Sequence, residues 1–119
     1  MPKQMVNRRS DTRHKLPGAE IEFNTRDGAH HVLPLMEVSI GGASFEIPRR
    51  LNGIEAGAML SDAMIRLGRF QVQGNLVVMH MVPGYGPDYT VGVEFHPRTD
   101  GDRNKLIDLI TRLESLPKS

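Results

Sequence analysis

Helical spacing of apolar residues occurs once in this chain, after Pro97. Before it, apolar residues recur at period two, in short runs broken by glycine and proline. Side chains alternate across a strand, so such runs bury one face and wet the other. The clearest is Ala19-Glu20-Ile21-Glu22-Phe23. Asn24-Thr25-Arg26-Asp27-Gly28 reads as a hairpin turn, with Asp-Gly as its signal. The next strand starts near His30 or His31 and passes Val32, Leu33, Leu35 and Met36 to Val38. Pro34 within it points to an edge position or a bulge. Further strands are expected over 43–47, about 60–67, 70–82 with an interruption at Gly74, and 89–95. Residues 49–59 read as a loop with room for one helical turn. Met59, Met64, Met79 and Met81 fall on strand positions and are expected to fill the core.

Past Pro97, the residues Leu106, Ile107, Ile110, Leu113 and Leu116 make an apolar stripe. Thr99 or Asp100 can cap its start, Asp102 suits its positive end, and Pro117 stops it. The expectation is an all-β chain with one helix. Short strands with glycine interruptions favour a small antiparallel barrel, over about residues 16–96, followed by a helix over about 100–116. A chain of 119 residues holds one such domain.

Composition removes several functions. With no cysteine there are no disulfides, thiolate nucleophiles, iron–sulfur clusters or cysteine-rich zinc sites. There is no apolar run of about 18 residues, and no apolar stretch follows the basic N-terminus. No membrane insertion and a cytoplasmic location are therefore expected. Aromatic residues are 5% of the chain and tryptophan is absent, which argues against a platform for single-stranded nucleic acid. None of the five histidines sits in a catalytic motif, and there is no G-x-S-x-G elbow, P-loop or H-E-x-x-H. Adjacent His30 and His31 face opposite sides of a strand and do not easily share a metal. Neither an enzyme nor a metal site is expected.

The formal net charge of +1 hides an asymmetry. Residues 1–15 hold Lys3, Arg8, Arg9, Arg13 and Lys15 against Asp11, a net of +4, so the other 104 residues net −3. A basic arm on a mildly acidic body points to a local anionic partner. Two clusters fit that partner. In Arg8-Arg9-Ser10-Asp11-Thr12-Arg13, planar guanidinium forks can grip phosphate or the O6/N7 edge of guanine. In Glu37-Val38-Ser39-Ile40-Gly41-Gly42, an acceptor-only carboxylate matches the N1–H and N2–H donors of guanine. Ser39 adds a small donor–acceptor, and Gly42 permits close backbone approach or a positive φ. Taken without the arm, the second cluster also reads as a β-corner capped by its serine.

In order and spacing the two clusters resemble the PilZ domain family, receptor modules for cyclic di-GMP. Arg9-Ser10-Asp11-Thr12-Arg13 matches that family's RxxxR motif, with Arg8 preceding it. Glu37-Val38-Ser39-Ile40-Gly41-Gly42 matches its [D/N]xSxxG motif at Ser39 and Gly42, with Glu37 where Asp or Asn is usual. Tyr89-Thr90-Val91-Gly92-Val93-Glu94-Phe95 resembles its closing strand. The resemblance implies a six-stranded antiparallel β-barrel plus a C-terminal α-helix over residues 8–116, behind a flexible arm of residues 1–7. It implies cyclic di-GMP as ligand, no cofactor, and a binding set of Arg8, Arg9, Arg13, Glu37, Ser39, Gly41, Gly42 and Gly92. A chain this short leaves no room for an output domain, so an effector protein acting in trans is expected. Two alternatives stay open. One is an adaptor of this fold that binds no nucleotide, and the other is a small β-barrel that binds nucleic acid.

Overall fold

The computed structural model describes residues 12–48, 51–84 and 88–115. Seven strands and one helix follow in chain order: β1 (His14–Lys15), β2 (Glu20–Asn24), β3 (His30–Val38), β4 (Gly42–Ile47), β5 (Met59–Leu67), β6 (Phe70–Pro83), β7 (Tyr89–Pro97) and α1 (Asp100–Ser115). All pairings are antiparallel. The order β3-β2-β5-β6-β7-β4 closes into a six-stranded barrel, because β4 also pairs with β3. The two-residue β1 lies along the end of β3, with His14 opposite Val38 and Lys15 opposite Glu37.

The strand alternation follows the sequence. Ala19, Ile21 and Phe23 are buried while Glu20 is exposed. Phe23 and Phe45 meet at 5.4 Å between ring centroids in the core. The β2–β3 turn is closed by Gly28 N–H donating to the Thr25 carbonyl, with Gly28 at φ 90°. Pro34 pairs with Glu20 of β2 and lies just before Leu35, where the β4 pairing begins. Its missing N–H therefore interrupts no β3–β4 bond. The register of β3 on β4 shifts between Leu35 and Glu37. Strand β6 continues through Gly74, which pairs with both Ala63 and Pro97. Among the described residues of the 49–59 loop there is no helical turn, and its Ile54 is buried in the core.

Two expectations are corrected. The methionines are not mainly core: Met59 is 63% exposed and Met79 51% exposed. Met59 lies on the outer face of β5, and Met79 sits at an irregularity of β6. Met81 is half-buried against the core. On the helix, Leu106 and Ile110 are buried and Leu109 and Leu113 pack beside them, whereas Ile107 is 40% exposed. A helix resting on the barrel needs only a narrow apolar stripe, and Ile107 lies at its margin. Leu116 and residues 1–11 lie outside the described residues.

The start of the helix is pinned to the barrel. Thr99 is its N-cap: its Oγ1 accepts from Asp102 N–H at 3.1 Å and donates to Asp102 Oδ2 at 2.8 Å. The other carboxylate oxygen, Asp102 Oδ1, accepts from Gln73 N–H of β6 at 3.1 Å. Near the far end, His14 Nε2 of β1 lies 3.7 Å from Glu114 Oε2. The bond from Gln73, then that from Thr99, holds the Asp102 carboxyl below its ordinary value of 3.8. A carboxylate whose pKa falls on folding adds stability that is complete above its unfolded value and lost as pH drops through its folded one. Asp102→Asn is therefore expected to lower stability at neutral pH and to flatten its decline below about pH 4, read by urea unfolding across pH. Thr99→Ala is expected to cost about 1 kcal/mol, a fall in Tm of about 4–8 °C.

Candidate functional site

Strands β3 and β4 are joined by a tight turn through Ile40 and Gly41. Ser39 N–H donates to the Gly42 carbonyl at 2.8 Å, and Val38 pairs with Ala43. The Ser39 hydroxyl closes the turn by accepting from Gly42 N–H at 3.2 Å. This is why the serine is 8% exposed although it lies at a corner. The sequence left close approach or positive φ open for Gly42, and close approach is what occurs. A Cβ there would collide with the carbonyl oxygen of Val93 on β7. Gly41 is fastened to the same strand, its carbonyl accepting from Phe95 N–H at 3.1 Å.

The turn forms one wall of a cleft of about 410 Å³ on the barrel surface. Arg13, Glu37, Ser39, Gly41, Gly42 and Gly92 all line it. They come from the residue before β1, the end of β3, the β3–β4 turn, the start of β4 and the middle of β7. The short β1–β3 pairing brings Arg13 beside the end of β3, where its Nη1 lies 3.9 Å from Glu37 Oε1. That pair is open to solvent and weak, so Arg13 can turn to an incoming anion at little cost. Arg8 and Arg9 lie outside the described residues.

Six lining residues lie outside the set expected from sequence: Val38, Ala43 and Val93, and the more chemically distinctive Met79, His80 and Glu94. Glu94 reaches the cleft because Gly42 pairs with it across β4 and β7, a register no local pattern encodes. Met79 and His80 depend on a register shift between Val78 and His80 against β7. Among the described residues, the cleft's charges are one guanidinium, Arg13, against two carboxylates, Glu37 and Glu94. His96 Nε2 lies 3.1 Å from Glu94 Oε1, within hydrogen-bond reach. Also among the described residues, no group of His, Asp and Glu is placed to hold a metal, and no helix is long and apolar enough to cross a membrane.

The sequence matches no family model and no curated protein. Solved structures do match. MrkH of K. pneumonia in complex with c-di-GMP superposes with a TM-score of 0.77 at 17% identity, over 87% of this chain and 51% of that one. The PilZ domain of Escherichia coli YcgR, solved with c-di-GMP, gives 0.69 at 13% identity over 87% of this chain and 88% of that domain. This chain has a PilZ-like fold. The inhibitor of motility MotI/DgrA of Bacillus subtilis shares it, with a TM-score of 0.70 at 17% identity over 86% of this chain and 49% of that one. The chain spans about half the length of MrkH and MotI. In this PilZ-like barrel the Ser39–Gly42 turn depends on a side-chain-free Gly42. Gly42→Ala is expected to cost about 1–3 kcal/mol, read as a lower urea midpoint, because the obstructing atom is backbone and cannot swing away.

Proposed function

We propose that this chain is a receptor or adaptor module that binds cyclic di-GMP and performs no catalysis. The observation that carries the reading is the convergence of Arg13, Glu37, Ser39, Gly41, Gly42 and Gly92 on one cleft in a PilZ-like fold. Support also comes from MrkH and YcgR, which share the fold and were solved with c-di-GMP.

The proposed roles follow from chemistry. Glu37 accepts from guanine N1–H and N2–H. Gly41 lets the ligand approach the turn backbone, and Gly42 and Ser39 hold that turn in shape against β7. The described lining offers one cation against two carboxylates, so a dianionic ligand needs more positive charge than Arg13 supplies. Arg8 and Arg9 are the nearest arginines in sequence, and we assign them with Arg13 to the phosphates and the guanine O6/N7 edge. Drawing this arginine segment onto the cleft changes the surface offered to an effector protein acting in trans.

The test is calorimetric titration with cyclic di-GMP. The native chain is expected to bind, and Arg13→Ala and Arg9→Ala to weaken binding about tenfold or more, as expected for loss of a charge-assisted contact. Glu37→Gln, which turns an acceptor-only edge into a mixed one, is expected to weaken it as well. An absence of binding by the native chain at tens of micromolar would favour an adaptor working through protein contacts alone. Steeply salt-dependent binding to oligonucleotides would favour a nucleic-acid binder.

A further inference from the structure

The β6 side of the cleft is built differently from the turn. Strand β6 carries an irregularity between Val78, paired with Val93, and His80, paired with Gly92. Met79 is the extra residue and stands out, half-exposed, into the cleft. Bulges of this kind re-aim side chains beside functional sites. One residue on, the His80 imidazole lies across Gly92. A Cβ at that position would collide with its Cε1 and Nε2 atoms. A glycine opposite a ring, inside a strand, leaves a slot that the ring fills against bare backbone. His80 is itself exposed and lines the cleft. The result is a planar imidazole with a thioether beside it, on the β6 side of the cleft.

Resting on the cyclic di-GMP reading above, we infer that His80, seated on Gly92 and flanked by Met79, is the stacking surface for a purine base whose edge is read by Glu37. Each component fits a flat heterocycle. Imidazole offers a π face, and methionine sulfur makes favourable contacts with aromatic rings. The planes of His80 and the bound base are parallel, and neither needs a charge on the imidazole. Gly92 acts indirectly: it positions His80 by having no side chain.

The experiment is titration of cyclic di-GMP into the full chain and three variants, with Tm measured for each. His80→Ala is expected to weaken binding about tenfold, the effect of removing one base–aromatic stack. His80→Phe keeps a flat ring and is expected to stay within about threefold of native. Gly92→Ala is expected to reproduce the loss seen in His80→Ala, because its methyl displaces the ring. A readout on the native chain guards against misfolded variants: the His80 ring-proton resonances are expected to move upfield on ligand addition, under the ring current of a stacked purine. Native binding with His80→Ala unchanged, with His80→Phe as weak as His80→Ala, or with static His80 resonances overturns the stacking assignment alone. No uptake of cyclic di-GMP by the native chain overturns the functional reading and the stacking assignment with it.

Discussion

Strand β4 must pair on both of its edges for this barrel to close, and the approach of its first residue to β7 is the constraint on which the rest hangs. Gly42 sits where a methyl group would meet the Val93 carbonyl. From that contact the β4–β7 register runs unbroken from Gly42–Glu94 to Ile47–Tyr89. On its other edge β4 returns to β3 through a turn that Ser39 closes with its own hydroxyl. The candidate cleft is a by-product of the same closure. The tight turn at the end of β3 leaves a recess between itself, the start of β1 and the irregular stretch of β6. Residues that hold the barrel shut and residues that face the cleft are thus partly the same.

On the proposed reading, this overlap lets a small barrel recognise a ligand without a deep pocket. Its hydrophobic interior is filled by side chains from all six closing strands, so recognition falls to the surface. There, two chemically distinct sets of residues line one cleft: a turn with a carboxylate and bare backbone, and an imidazole with a thioether. On the proposed reading the first specifies the edge of a base and the second its face. Phosphate charge is left to arginines, which belong to the N-terminal fifteen residues where the chain concentrates its positive charge. The pairing of β1 with the end of β3 places Arg13 at the cleft, next to His14, which approaches Glu114 of the helix.

Much of this was legible in the sequence. Period-two alternation located all six barrel strands, because each buries one face only, as Ala19, Ile21 and Phe23 do against Glu20. The spacing of Leu106 and Ile110 located the helix, and Thr99 its start. Ser39 and Gly42 were legible because a short turn makes local demands that only a few residue types meet. His80, Met79 and Glu94 were not legible. Their placement comes from register between strands distant in sequence, and a single bulge moves a side chain from one environment to another. The same cause misled the expectation for methionine: alternation alone does not say that Met59 lies on the wet face and Met79 in a bulge.

Two-dimensional amide spectra recorded while cyclic di-GMP is added to the native chain test the central claim most directly. The account predicts that Ser39, Gly41, Gly42 and Gly92 shift together along one binding curve. Residues of the separate polar cleft around Asp62, Asn75 and Arg98 should stay in place. A titration that leaves the Ser39–Gly42 turn and Gly92 unmoved, or that shifts only the second cleft, would contradict it.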